Sequence, residues 1–278
     1  DESSIAQIAK VLYHQEEPFQ SGSIIAQWLV YQKSRQEGVL VMLDGQGADE
    51  YLGGYLKDFQ VFLRMKFLQN PFNYKSYFSE FAANHQITHK INSDFLLQAY
   101  VPSLSQLMKS LRTPEHKKFL HPDFYQTHLN DETPFDNFND LKETFKYELS
   151  NYGLNKLLRF ADRNAMGNSI EVRLPFLSHE LVEFVFSVPT DMFYKNGWSK
   201  SLLRHAMKET MIPEITWRKD KIGFEAPQNM WMKSKLISDQ VIEAKQYLMK
   251  EKIINQHFTD DWNALMTYKF IKKSNEPN

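Results

Sequence analysis

The residues best suited to chemistry lie early in the chain, in the run Asp44-Gly45-Gln46-Gly47-Ala48-Asp49-Glu50. They follow the apolar segment Val39-Leu40-Val41-Met42-Leu43 and precede Tyr51-Leu52-Gly53-Gly54-Tyr55. A short, β-branched apolar run reads as a buried parallel strand. Two glycines after it allow a sharp bend and a close approach of backbone to ligand. Asp49 and Glu50 fall in the first turn of a predicted helix, where carboxylates are favoured. Ligands of open α/β sheets sit beyond the carboxyl ends of strands, which is where this loop belongs. Free amides beside an acidic group suit a phosphate whose charge is bridged by Mg²⁺. The same residues also fit a plain strand–turn–helix connection, with glycine for the turn and Asp49 as a helix-terminal charge.

Two later blocks carry similar marks. One runs from Asp162-Arg163-Asn164-Ala165-Met166 through Glu171-Val172-Arg173-Leu174-Pro175-Phe176-Leu177. The other is Arg218-Lys219-Asp220-Lys221-Ile222-Gly223-Phe224, followed by Pro227 and Trp231. The first string resembles the Ser-Gly-Glu-Gly-(Ala/Ser)-Asp-Glu signature of the asparagine synthetase family, and the two later blocks resemble that family in the same order. The resemblance implies an α/β fold with a parallel-sheet nucleotide-binding domain, of which this chain holds the C-terminal part. It implies ATP and Mg²⁺ as cofactors. The implied reaction adenylates the aspartate side-chain carboxylate and transfers ammonia, drawn from glutamine, to give asparagine, AMP and pyrophosphate.

The same resemblance assigns roles. Asp44 and Gly45 match residues that contact the nucleotide, and Gly47 belongs to the same pyrophosphate-binding loop. Asp49 matches the aspartate that holds Mg²⁺ against pyrophosphate. Lys221 matches a lysine that contacts phosphate during adenylation, with Gly223 and Phe224 expected to supply a tight turn and an anchor. Gln46 stands where the family usually has a catalytic Glu. A glutamine amide does not titrate, so it can donate and accept hydrogen bonds but cannot act as a base. Asp44 for Ser and Ser178 for Asp are further departures. They keep open a relative that forms an amide or lactam from another carboxylate, and a non-catalytic domain that retains the fold. Arg163, Glu171 and Arg173 are expected to form a buried guanidinium–carboxylate cluster that fixes the fold.

Helical patterns dominate the elements that must position these residues. Ile5, Ile8, Ala9, Leu12 and Tyr13 form one apolar face, and Ile24, Ile25, Trp28 and Leu29 another. The second helix is predicted from a Ser23 cap to Gly38, which releases the chain into the strand. Residues 1–56 therefore read as the tail of a nucleotide-binding α/β core and 57–278 as a helical remainder. A second convincing parallel strand is not visible downstream. Leu154, Leu157, Leu158 and Ala161 lead as a helix into the Asp162-Arg163 block, Ser199 is a candidate cap for a helix carrying Leu202 and Leu203, and Phe258, Trp262, Leu265 and Met266 mark another.

Composition narrows the classes. Thirty-three Lys and Arg balance 34 Asp and Glu, so no global field draws the chain to nucleic acid or membrane. There are no cysteines, which excludes a thiol nucleophile within this sequence. Nine histidines show no metal-ligand spacing, and no apolar run approaches the ~20 residues that span a bilayer. A cytoplasmic protein follows as the expectation, with a possible homodimer through an exposed sheet edge. The family's Ser-Gly-Gly-x-Asp-Ser loop and its N-terminal glutaminase domain have no match here. The chain as given is therefore expected to have no glutaminase and little or no synthetase activity, the chemistry belonging to an intact parent.

Overall fold

The computed structural model describes residues 5–85, 93–101, 103–104, 118–128, 139–151, 153–220 and 223–275. Most of these are helical, as the periodicity predicts. Two helices, α1 (Ile8–Gln15) and α2 (Ser23–Gln36), lead into strand β1 (Val41–Leu43) and a single helical turn, α3 (Ala48–Tyr51). A helical stretch follows: α4 (Leu56–Gln69), α5 (Tyr74–His85), α6 (Ser93–Tyr100), α7 (Pro122–His128), α8 (Leu141–Ser150) and α9 (Leu154–Gly167). Strand β2 (Glu171–Arg173) and α10 (His179–Ser187) come next. The chain ends with α11 (Ser201–Met207), α12 (Pro213–Thr216), α13 (Gln228–Met232), α14 (Lys235–Lys250) and α15 (Asp261–Ser274).

Two cores hold these helices. Phe59, Phe62, Phe81, Phe145, Phe193 and Tyr194 centre one, built from α4, α5, α8 and the turn before Tyr194. Val11, Leu12, Ile25, Trp28, Phe160 and Leu265 centre the other, which joins both ends of the chain. A buried polar knot ties α1, α2 and α9 together. The Gln15 amide donates to Asn164 Oδ1 (2.8 Å) and the Phe160 carbonyl (3.0 Å). Asn164 in turn donates to the Ile24 carbonyl (2.9 Å) and Gln27 (3.0 Å). With these donors satisfied, the network specifies one register of α9 against its neighbours.

The sheet corrects two expectations. A second parallel strand exists: β2 pairs with β1, with Val41 opposite Glu171, Met42 opposite Val172 and Leu43 opposite Arg173. Three residues with charges at both ends carry no apolar run, which hid this strand among the charged block. Nor is β1 buried on both faces. Met42 and Val172 pack on Tyr31, Ala165 and Ile170, whereas Val41 and Leu43 are 45% and 73% exposed. The helices cover one face of this short sheet, so burial alternates with the period of the pleat.

The charged residues of the second block are also separated, contrary to a single buried cluster. Arg163 reaches α1, donating to the Gln15 carbonyl and the Glu16 carboxylate, each at 2.7 Å. Arg173 pairs with Glu171 (2.9 Å) on an exposed surface. Caps differ as well. α2 begins after Gly22 without a side-chain cap, and Lys200, not Ser199, precedes α11. Ser178 caps α10 by accepting from the Leu181 amide (3.4 Å).

The second block nonetheless supports the first. Leu177 lies directly beneath Gly47, where a Cβ would fall 2.3 Å from its Cδ2. Gly47 also has φ +96°, a region that disfavours side chains. Tyr51 donates its hydroxyl to the Phe176 carbonyl, closing the contact from the other side. Gly47→Ala is expected to cost about 2 kcal/mol or more of stability. Chemical denaturation checks this, and Leu177→Ala in the same chain should recover only the steric part of the loss.

Candidate active-site cleft

The loop after β1 leaves the sheet at Asp44, whose amide donates the last ladder bond, 2.9 Å to the Arg173 carbonyl. Its carboxylate Oδ2 accepts from the Gln46 amide nitrogen (3.0 Å) and the Tyr31 hydroxyl (3.4 Å). Burial first, then the Asp44 charge, pushes the Tyr31 phenol up, so it stays a neutral donor. Gln46 therefore serves here as a hydrogen-bond donor, with its Oε1 buried and without a partner among the described residues. Gly45 faces open space. Asp49 and Glu50 occupy the first turn of α3, as predicted. Glu50 is buried and accepts from the Tyr55 hydroxyl (2.6 Å), whose ionisation burial and that carboxylate both oppose.

Asp49 is aimed elsewhere, into a cleft of about 500 Å³. Gly54 makes this possible, because a Cβ there would lie 1.9 Å from Asp49 Oδ1. Lys200 reaches the same oxygen at 2.5 Å. Arg204, Arg218, Lys219 and Asp220 line the cleft too, giving four cations against the carboxylates of Asp49 and Asp220. Such a surplus in a concave site attracts anions.

Lys200 depends on its frame. Its backbone is left-handed (φ 51°, ψ 33°) at the start of α11, an unusual conformation for a side-chain-bearing residue. Arg204 holds that turn by donating Nε to the Ser199 carbonyl (2.8 Å) and a terminal nitrogen to the Thr216 carbonyl (2.5 Å). Its guanidinium lies over the Trp198 ring, 4.9 Å from the centroid. One arginine thus ties the turn bearing Lys200 to the segment bearing Arg218 and Lys219.

The structure therefore brings Asp49 to the third block and leaves Asp44 and Gln46 together at the strand end. Lys221 and Ile222 lie outside the described residues, although Asp220 beside them lines the cleft. Phe224 is 61% exposed rather than an anchor. Lys200 was not legible as a site residue, since a single lysine before Leu202-Leu203 has the pattern of a solvated helix start. Among the described residues no group of three His, Asp or Glu side chains forms a metal cluster, and no helix is long and apolar enough to cross a membrane.

Behind the cleft lies an unforeseen carboxyl pair. Asp58 on α4 and Glu148 on α8 are both buried, and burial raises the pKa of each carboxyl above its ordinary range. Lys57 pairs with Glu148 at 2.5 Å and balances the remaining charge. Burial, then Glu148, pushes the Asp58 carboxyl up to about 9.

Comparison with known proteins identifies the family. The model of the asparagine synthase family matches residues 1–269. The chain belongs to the asparagine synthase family. It is 26% identical over 249 residues to asparagine synthetase [glutamine-hydrolyzing] 1 of Bacillus subtilis, covering 84% of this chain and 38% of that protein. It is 22% identical over 244 residues to the putative asparagine synthetase [glutamine-hydrolyzing] of Mycobacterium tuberculosis, covering 83% and 36%. A 79-residue stretch is 37% identical to the mouse asparagine synthetase [glutamine-hydrolyzing], or 26% of this chain and 14% of that one. The chain thus spans somewhat over a third of the length of the relatives it matches most fully.

The raised Asp58 carboxyl makes stability depend on pH. Asp58 ionises near 3.8 when unfolded and near 9 in the fold, so folding takes up a proton between these values and stability falls as pH rises through that window. Asp58→Asn has no proton to lose. Its melting temperature should decline less than that of the wild type between about pH 5 and pH 9, and parallel curves would contradict a protonated Asp58 in the fold.

Proposed function

We propose that this chain is part of an ATP-dependent, amide-forming synthetase that adenylates the aspartate side-chain carboxylate and passes the acyl group to ammonia. What carries the reading is the Asp49–Lys200 pair set in a cation-rich cleft at the exit of a parallel strand. Carboxylate attack on a phosphate brings two anions together, and the leaving pyrophosphate accumulates charge. Lys200, Arg218, Lys219 and, by resemblance, Lys221 are the cations to neutralise it.

Asp49 suits the role of a magnesium ligand. Mg²⁺ is commonly held by one or two carboxylates together with substrate phosphates, so a single aspartate without a metal cluster is consistent with it. Bound there, the ion would neutralise phosphate charge and orient the leaving group. Lys200 pairs with Asp49 at the cleft in the meantime. The amides after Gly45 and Gly47 are the nucleotide contacts. Gln46, unable to titrate, orients Asp44 and leaves proton removal to water or to the phosphate itself. The names of the relatives point to ammonia from glutamine, released by a glutaminase domain outside these residues; by resemblance, the first pyrophosphate loop, Ser-Gly-Gly-x-Asp-Ser, also lies outside them.

Gln46 and Ser178 favour a second reading, in which the activated acid differs from aspartate. Both replace carboxylates that the family usually carries. Pyrophosphate release from ATP and Mg²⁺, measured with the longest chain the native gene encodes, separates the two. Aspartate-dependent release supports the first, and release with another acid alone supports the second.

In that enzyme Lys200→Ala and Asp49→Ala should each lower kcat by about 10²- to 10³-fold, the scale expected for removing a group that stabilises transition-state charge. Gly45→Ala probes the nucleotide contact separately. Nothing lies within 4 Å of a Cβ placed there, so the melting temperature should hold while the KM for ATP rises. An unchanged KM would remove Gly45 from the nucleotide site.

A further inference from the structure

One wall of the cleft holds a pair of residues that no role above uses. Ser199 Oγ lies 3.0 Å from His85 Nε2, and both line the cleft. The other ring nitrogen, Nδ1, is 3.1 Å from the Phe81 carbonyl. A carbonyl can only accept, so Nδ1 carries the proton and Nε2 of the neutral ring is the acceptor. The Ser199 hydroxyl must then donate into the ring, leaving only its lone pairs to face the cleft.

This contact is built into the fold. The imidazole stacks on Phe81 (4.0 Å between centroids) and meets the edge of Trp198 (6.1 Å). The turn bearing Ser199 sits directly on α5, since a Cβ on Gly197 would fall 2.2 Å from the Glu80 carbonyl oxygen. Asn84 fixes it there by donating to the carbonyls of Asn196 (3.2 Å) and Gly197 (3.1 Å). The charged groups around the ring come from other elements: Arg204 on α11 and Lys219 on the segment after α12, with Lys200 and Asp49 lining the same cleft. Burial pushes the imidazole below its ordinary range; the bond to the Phe81 carbonyl opposes this, and Arg204 and Lys219 add to it.

We propose that His85 and Ser199 form a proton-linked element of the phosphate site, in which an entering polyphosphate draws a proton onto His85 and frees the Ser199 hydroxyl to donate to it. The proposal rests on the reading of this cleft as a phosphate site. The anion offsets the charges of Arg204 and Lys219, which add to burial in disfavouring a charged His85. The proton taken from solvent binds Nε2, which now donates to Ser199 Oγ, and the hydroxyl hydrogen turns to the ligand. No bond other than these hydrogen bonds is made or broken. The pair is therefore a positioning and charge-supplying device, and pyrophosphate should be held more tightly as pH falls.

Calorimetric titration of the intact native chain with inorganic pyrophosphate, in buffers of differing ionisation enthalpy, counts the protons taken up. The wild type should bind with more protons taken up near pH 7 than His85→Asn, and the ligand's own protons cancel in that difference. His85→Asn and Ser199→Ala should each bind about tenfold more weakly at pH 6, the scale of one hydrogen bond to a charged group, and near-normally at pH 8. Ser199→Ala carries the test alone if His85→Asn fails to fold by circular dichroism. Equal proton uptake and equal pH dependence would overturn the proposal and leave the phosphate site standing. No pyrophosphate binding by the wild type would overturn both.

Discussion

The parallel pairing of β1 with β2 is the constraint from which the site follows. Three residue pairs lay two strand ends side by side, and both chains emerge in the same direction. The residues after β2 must then run beneath the loop after β1. Leu177 fills the space that Gly47 leaves open, and the Phe176 carbonyl takes the Tyr51 hydroxyl. A positive-φ glycine is tolerated here because the neighbouring strand demands it. The bend it makes turns Asp49 out of the sheet and into the cleft.

From there the site is an electrostatic construction. Asp49 is held by Lys200, Lys200 by a turn that Arg204 braces, and Arg204 by carbonyls on either side and the Trp198 face. Lys200 is paired with Asp49 and Arg218 with Asp220, while Arg204 and Lys219 add two further cations to the cleft. That surplus suits an incoming polyanion, and it adds to burial in lowering the pKa of the neighbouring His85. A second pair of carboxyls is buried outside the cleft lining, where burial and Glu148 oppose ionisation of Asp58 and Lys57 pairs with Glu148.

Much of this was legible in the sequence, for physical reasons that differ by element. The Asp44–Glu50 loop announced itself because an apolar run, spaced glycines and first-turn carboxylates agree with one another. Long helices such as α9 and α15 follow from their apolar faces. β2 escaped notice because a three-residue strand buries a single side chain, Val172, and its charged ends imitate an ion-pair cluster. Lys200, His85 and Ser199 are 114 or more residues apart from at least one partner, and none stands in a local pattern that distinguishes it from surface. Only the packing of the Gly197 turn on α5 brings them to one cleft.

The account stands on the strand-end loop and the 199–220 segment acting as one phosphate site. Amide hydrogen exchange on the intact native protein, with and without ATP and Mg²⁺, tests this directly. Nucleotide should slow exchange in residues 44–54 and in 199–220 together. Protection confined to one of these segments, or to neither, would contradict it.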